Sequence, residues 1–173
     1  NHKGVSSMNT FAEYRYKGAS AMVKLHEIHL QSFYETWKKA KRLNIKLPDS
    51  DDPYYKSLDT LLYHLLRSAR GYMIWMCEKL GLEDPHIKET PPAEIIEEKA
   101  VEQLAHLFER WRLPLANVEP ELFEDKAYKS NWSVEYCIDA MLEHAVMHPI
   151  RHEFQLKNLI NKKNFLQKYK FII

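Results

Sequence analysis

The sequence contains few glycines and few cysteines, and these shortages exclude several kinds of functional site. Its four glycines stand far apart, so the chain can form neither a GxGxxG fingerprint nor a phosphate-binding P-loop. The only two cysteines, Cys77 and Cys137, lack the spacing of a metal-binding pair. We expect both to be reduced thiols of a cytoplasmic protein.

The sequence also lacks an excess of charge and a long apolar run. Lys and Arg number 25 and Asp and Glu number 24, which gives a formal net charge of +1. This balance argues against binding to nucleic acid or to a membrane surface through charge. The longest apolar run, residues 72–77, is much shorter than the roughly 20 residues that span a bilayer. No basic-then-apolar leader is visible, so we expect a cytoplasmic location without membrane partners.

Four long segments repeat apolar residues at a helical period, and none alternates in the way that strands do. We predict helices near residues 20–43, 53–80, 91–112 and 132–161. Asp52 before Pro53 is a typical helix start, and Gly81 is a typical residue to follow a helix end. Four helices that each carry an apolar stripe predict an all-α four-helix bundle.

The length of 173 residues fits a single domain. We expect this domain to span residues 1–173, with an N-terminal extension at 1–17 and a C-terminal tail at 163–173. The tail is basic and apolar, and an exposed apolar segment is typical of an interface. We therefore expect a homodimer.

Three of the nine histidines follow one another on the predicted fourth helix: His144, His148 and His152. Each step of four residues turns a helix by about 400°, so the three side chains share one slowly drifting face. Leu156 and Leu159 continue that face, which indicates that it points inward. A triple at this spacing is expected by chance only about 0.02 times in so long a chain.

Imidazole nitrogens at positions i and i+4 can converge on one cation. His148 and His152 therefore predict a metal site, whose affinity should fall below about pH 6.5 because only neutral imidazole binds a metal. His144 is open to three interpretations: a ligand, a residue that supports the ligands, or a packing residue. Pro149 cannot donate to the carbonyl of Ala145, which predicts a bend in the helix after His148.

One more ligand from a facing helix would complete a three-His set, and His64 is a candidate because it lies among leucines of the second helix. Taken alone, His64 is more typical of a core or boundary histidine with a hydrogen-bond partner. Ser68 and Gly71 follow on its face, and their small side chains would leave room for an ion with open coordination positions. On the first helix, we expect one residue of the pair His26 and His29 to be exposed and the other to line the pocket.

Two regions resemble the DinB/YfiT-like superfamily. One is residues 61–64 of the second helix, and the other is the last helix with its approach, through residues 132–135, 143–144 and 148–156. The resemblance implies a four-helix bundle with a long crossover connection. It also implies one His of the second helix and an HxxxH pair of the last as metal ligands, here His64, His148 and His152. The chain departs from the family pattern at Pro149 and Arg151, neither of which removes a ligand.

Members of that family include thiol-dependent transferases and isomerases as well as proteins assigned as hydrolases. The resemblance therefore implies a divalent ion, Zn or Ni first and Fe or Mn next, that activates water or a low-molecular-weight thiol for a small-molecule substrate. We expect four residues to lie beside the ligands or on the pocket wall: His144, His29, Tyr63 and Arg151.

No residue is identified as catalytic by the sequence alone. The candidates for a general base are Tyr63, Glu143, Glu153 and His144. Two other functions stay open: a non-catalytic or stress-related metal-binding bundle protein, and a helical interaction protein whose metal site is vestigial. The three intact histidines argue against the vestigial site.

Overall fold

The computed structural model describes residues 11–170, with side chains as far as residue 166. Its helices are α1 (Lys17–Arg42), α2 (Leu58–Leu80), α3 (Ile96–Trp111) and α4 (Ile138–Lys170). Single 3-10 turns occur at Pro53–Tyr55, Ala93–Ile95 and Pro120–Phe123. A minimal antiparallel ladder joins β1 (Tyr128–Lys129) to β2 (Glu135–Tyr136). The predicted all-α class with four helices is therefore confirmed, although the prediction of no strand missed this small ladder.

The second helix begins later than predicted because two separate caps divide its first turns. Asp52 caps the 3-10 turn Pro53–Tyr55 by accepting a backbone N–H of that turn. Ser57 then opens α2 through a capping box, in which its hydroxyl and that of Thr60 each accept the other's backbone N–H. The helix ends as predicted at Gly81, whose φ of 64° is left-handed.

The predicted start of the last helix near residues 131–133 is wrong. These residues form the turn between β1 and β2, in which Ser133 has a left-handed φ of 66° and Ser130 accepts the backbone N–H of Val134. Helix α4 begins only at Ile138, and it continues through Pro149 to Lys170, past its predicted end. The last three residues of the predicted tail, 171–173, lie outside the described residues, as do residues 1–10 of the predicted extension.

Two buried tryptophans tie the helices together. Trp37 of α1 donates its indole N–H to the carbonyl of Leu58 at the start of α2, with an N–O distance of 2.6 Å. Trp111 at the end of α3 donates to the carbonyl of Ala69 in the middle of α2, at 3.1 Å. Each ring buries a large apolar surface while its polar atom keeps a partner, which fixes α2 between its neighbours.

The rotation of α4 is fixed by a buried carboxylate. Glu153 of α4 accepts hydrogen bonds from the hydroxyls of Ser32 and Thr36 on α1, at 2.8 and 2.9 Å, and pairs with Lys157 at 2.6 Å. Consecutive helical residues point about 100° apart, so His152 is turned away from α1 and toward α2. The packing of α4 on α1 thereby aims the histidine face at the second helix.

The prediction that one of His26 and His29 is exposed and the other lines the pocket is wrong for His26. Its ring is 1% exposed and stacks on Trp111 with 3.8 Å between ring centroids. Burial lowers the pKa of His26 to about 3, and its Nδ1 has no hydrogen-bond partner among the described residues. His29 is half-buried on α1.

Within residues 11–170 no helix is both long and apolar enough to cross a bilayer.

Candidate metal centre

Three histidine side chains from two helices meet in the bundle interior. Nε2 of His148 lies 3.0 Å from Nε2 of His64 and 3.1 Å from Nε2 of His152. The potential ligand atoms of the three rings all lie within 4.8 Å of one another. His148 and His152 are each 5% exposed, and His64 is half-buried. The structure thus brings together the three residues that the sequence analysis selected as ligands.

The helical repeat explains why these residues meet. His148 and His152 are one turn apart on α4, so both rings project from the same face. Next to them on α4, Ala145 and Leu156 are fully buried, and Leu61 and Leu65 are buried to either side of His64 on α2. The histidines therefore interrupt two apolar stripes where α2 and α4 pack together.

Two side chains hydrogen-bond the ring nitrogen of His152 that does not contact His148. Nδ1 of His152 lies 2.9 Å from the hydroxyl of Tyr55 and 3.1 Å from Oε1 of Gln155. Because the amide oxygen of Gln155 can only accept, Nδ1 carries the proton of the neutral ring. The lone pair of Nε2 then points toward the other two rings. Partners of this kind fix the tautomer and orientation of metal-binding histidines.

Burial keeps the three rings uncharged near neutral pH. Burial, with smaller contributions from His152, His64 and the nearby Arg151 charge, lowers the pKa of His148 to about 2. Burial, with smaller contributions from His64 and Arg151, lowers the pKa of His152 to about 4. Burial also lowers the pKa of His64. In the folded protein we therefore expect any loss of metal affinity to occur at a pH below about 6.5.

The donor set fits a divalent ion of the zinc class. Two nitrogen ligands on one tetrahedral zinc lie about 3.3 Å apart, given Zn–N bonds of about 2.0–2.1 Å. The observed separations of 3.0 and 3.1 Å around His148 are close to that value. Three neutral rings cannot satisfy all three converging Nε2 atoms among themselves, because a protonated nitrogen donates to only one neighbour at full strength. A cation would provide one partner for all three lone pairs.

A cavity of about 720 Å³ opens beside the cluster, between α2, α4 and the turn between β1 and β2. His64 and His148 form part of its wall, so two of the three rings face an open space. Aromatic and cationic residues are prominent in the remaining wall. The aromatic residues are Tyr54, Tyr72, Trp75 and Trp132, and the cationic ones are Arg67, Arg70 and Arg151.

His144 lies on the cavity wall and outside the three-histidine cluster. Its ring stacks on Trp132 with 5.5 Å between ring centroids, and the rings of Tyr72 and Tyr136 meet it edge-on at 5.4 Å. The structure thus places it in an aromatic group next to His148, at a centroid distance of 6.4 Å.

Of the other residues expected near the site, one lines the cavity and two do not. Arg151 lines the cavity. Tyr63 instead lines a separate depression near residues 90–94, and His29 lies on α1 and does not line the cavity. Among the candidate bases, Glu153 is engaged with α1 and Glu143 is exposed.

The sequence analysis missed Tyr55 and Gln155, which hold His152, and Arg67 on the cavity wall. Gln155 could have been found, because it lies three residues after His152 on the same helix and can therefore reach its ring. Tyr55 carries no such signal, since it comes from a 3-10 turn outside the helices.

No family model, no curated protein and no solved structure matches the chain. The chain is a helical bundle with three clustered histidines, an arrangement that is compatible with the DinB-like fold.

Proposed function

We propose that the protein is a DinB-like, metal-dependent enzyme that acts on a small molecule as a hydrolase or a thiol S-transferase. His64, His148 and His152 are its metal ligands. The observation that carries this proposal is the convergence of three Nε2 atoms at the wall of a cavity, since a buried site without access would have only a structural role.

The donor set indicates the chemistry. Three neutral imidazoles suit Zn or Ni, and also Fe, whereas Mn favours oxygen ligands. A divalent ion held there supplies Lewis acidity, which lowers the pKa of water or of a thiol and polarises a substrate oxygen.

The chain's own side chains supply orientation and a route for protons. Tyr55 and Gln155 keep the His152 ring in one tautomer. Of the four candidate bases, His144 alone lines the cavity, so it is the residue we assign as proton acceptor. Its neighbours Trp132 and Tyr136 hold the ring at the cavity wall.

The family assignment is supported by the order of the helices and by the positions of the three histidines on the second and last of them. We further propose a cytoplasmic homodimer with no nucleic-acid partner, in line with the balanced charge.

The test has two steps. First, the metal content of protein purified without a nickel column is measured by mass spectrometry, and about one ion per chain is expected. Second, the metal-loaded protein is assayed on a panel of thiol acceptors and esters. Turnover that is lost in His148→Ala supports the enzyme. One tightly held ion without turnover on any substrate would instead favour a non-catalytic metal-binding protein.

A further inference from the structure

The wall of the cavity beside the histidine cluster has a marked excess of positive charge. It holds three arginines, Arg67, Arg70 and Arg151, and the carboxylate of Glu78. Arg70 is already engaged, because it pairs with Glu89 at 2.9 Å and donates to the carbonyl of Ile87. The other two guanidinium groups outnumber the Glu78 carboxylate, so a ligand meets a net positive charge.

Arg67 and Arg151 have few partners in the protein. Arg67 donates to the hydroxyl of Tyr54 at 3.3 Å, a neutral and weak partner. Within residues 11–166 no hydrogen bond or ion pair engages the guanidinium of Arg151. Arg151 is the neighbour of His152 on α4, and it lines the same cavity as His64, His144 and His148. Two guanidiniums without an acid partner, facing a cavity, form a site for an anion.

Aromatic rings form another part of the cavity wall. Trp132 is 45% exposed at the tip of the turn between β1 and β2, where it lines the cavity mouth. Tyr72 meets Trp132 edge-on, with 6.2 Å between ring centroids. An exposed indole at a cavity edge is typical of a surface that stacks against a flat ligand.

Gly71 widens the same cavity for no local structural reason. It lies inside α2, where glycine is the least favourable residue after proline. A Cβ built on Gly71 would meet nothing within 4 Å, and its φ is not left-handed. Neither the backbone conformation nor a close neighbour therefore requires glycine there. The missing side chain leaves free space between Ser68 and Tyr72, on the ligand side of the helix.

We propose that this cavity binds a planar aromatic carboxylate, with Arg151 and Arg67 on the carboxylate and with Trp132 and Tyr72 against the ring. The substrate class rests on the proposed function, which places the reacting group beside the histidine cluster. A guanidinium matches a carboxylate with two parallel N–H bonds, and the space over Gly71 admits the ring.

The binding of 1-naphthoate tests this proposal, through quenching of tryptophan fluorescence and through calorimetry, on both metal-free and zinc-loaded protein. The neutral isostere 1-naphthamide should bind about 10-fold more weakly, since it lacks the charge that strengthens the hydrogen bonds from the guanidinium groups. Arg151→Gln and Arg67→Gln should each weaken 1-naphthoate about 10-fold and leave 1-naphthamide unchanged. The matched control is Arg110→Gln, an exposed arginine of α3, which should alter neither.

Variants at Gly71 test the proposal independently of the arginine variants. Gly71→Ala should raise the melting temperature, and Gly71→Leu should fold normally but bind 1-naphthoate about 10-fold more weakly, because its side chain fills the cavity. Equal binding of 1-naphthoate and 1-naphthamide, or undiminished binding by Arg151→Gln and Gly71→Leu, would overturn the proposal. Preferential binding of phenyl phosphate would overturn the assignment to a carboxylate.

The anion site and the proposed metal enzyme can fail independently of each other. If the protein binds no metal but binds 1-naphthoate in an Arg151-dependent way, the anion site stands and the metal enzyme falls. If one ion binds and 1-naphthoate shows no preference over its amide, the anion site alone falls.

Discussion

Nε2 of His64 lies 3.0 Å from Nε2 of His148, although 84 residues of chain separate them. The pair bridges α2 and α4, and the second contact of His148, to His152, stays within α4. An ion at this position would therefore link two helices of the bundle. Metal binding and the stability of the helix packing should be coupled for that reason.

Replacing His148 by Ala should remove the metal. It takes away the central donor, so affinity for Zn²⁺ should fall by more than about 100-fold. The zinc-dependent rise in melting temperature should disappear with it, since an ion at 100 times its Kd adds about 2.7 kcal/mol of stability. Both effects are measured by metal analysis and calorimetry.

His106→Gln is the control for that experiment, because this ring lies on α3, where it accepts the backbone N–H of Lys88. It should leave metal content unchanged. Undiminished binding of one ion by the double variant His148→Ala, His152→Ala would show that the site assignment is wrong.

Tyr55→Phe should weaken metal binding without removing it. The variant loses the hydroxyl that lies 2.9 Å from Nδ1 of His152, so the ring is less well oriented. Partners of this kind change metal affinity by about 10–100-fold, and we expect about 10-fold because Gln155 still accepts from Nδ1. Tyr128→Phe is the matched control, since that tyrosine packs against Trp75 on the small ladder. Competition with a chromophoric chelator measures the Zn²⁺ affinity of each variant and of the wild type. Equal affinities of Tyr55→Phe and wild type would contradict the assigned role of Tyr55.

The sequence predicted the histidine cluster because the residues that mark it recur at the period of a helix. His148 and His152 lie one helical turn apart, and the leucines around His64 marked a buried face. The residues that support the cluster were harder to find. Tyr55 reaches His152 from a 3-10 turn 97 residues away along the chain, and no local pattern encodes such a contact.

The start of the last helix was mispredicted for a related reason. Asn131, Trp132 and Ser133 resemble a helix N-terminus in composition, since Ser and Asn are favoured both at caps and in turns. The backbone instead pairs across the ladder between β1 and β2, which places Trp132 on the cavity mouth. The ladder and its packing therefore replace the helix start that the sequence predicted at these residues.

The metal-free protein should lose stability as the pH falls below the ordinary histidine pKa of about 6.5. His26 has its pKa lowered to about 3 by burial, so the folded state stays neutral while the unfolded state binds a proton. Its contribution to stability is full above about pH 6.5 and is lost as the pH falls toward about 3. The loss amounts to about 2 kcal/mol at about pH 5, at 1.4 kcal/mol per pH unit.

Urea unfolding of metal-free wild type and His26→Leu at neutral pH and at about pH 5 measures this effect. The variant should be about 2 kcal/mol less sensitive to the change of pH. An identical pH dependence in the two proteins would contradict the assignment of that sensitivity to His26.

The predicted homodimer should form through the exposed face of α4. Met147, Phe154 and Phe165 are 48%, 64% and 60% exposed, and their spacing of 7 and 11 residues keeps them on one stripe of the helix. Phe154→Glu should therefore give a monomer by light scattering at tens of micromolar. Val101→Glu is the control, because Val101 is 67% exposed on α3 and lies outside that stripe. A wild type that is monomeric at this concentration would contradict the prediction.

Glu153 tests the difference between a structural carboxylate and a catalytic one. Burial raises its pKa, but hydrogen bonds from Lys157, Ser32 and Thr36 outweigh this effect and lower it overall. The stability that it contributes is therefore present above the ordinary Glu pKa of about 4.3 and is lost as the pH falls through the lowered value. Glu153→Gln keeps an oxygen acceptor for the two hydroxyls and should cost about 1 kcal/mol in urea unfolding.

Glu153→Leu should cost about 2–3 kcal/mol, because it leaves the hydroxyls of Ser32 and Thr36 without their acceptor at the helix interface. Glu143→Gln is the matched control on the exposed side of α4 and should change stability by less than about 0.5 kcal/mol. Both Glu153 variants should have the same affinity for Zn²⁺ as the wild type, because the carboxylate faces α1 and not the cavity. A Glu153→Gln protein of unchanged stability that has lost turnover would instead identify this residue as the general base.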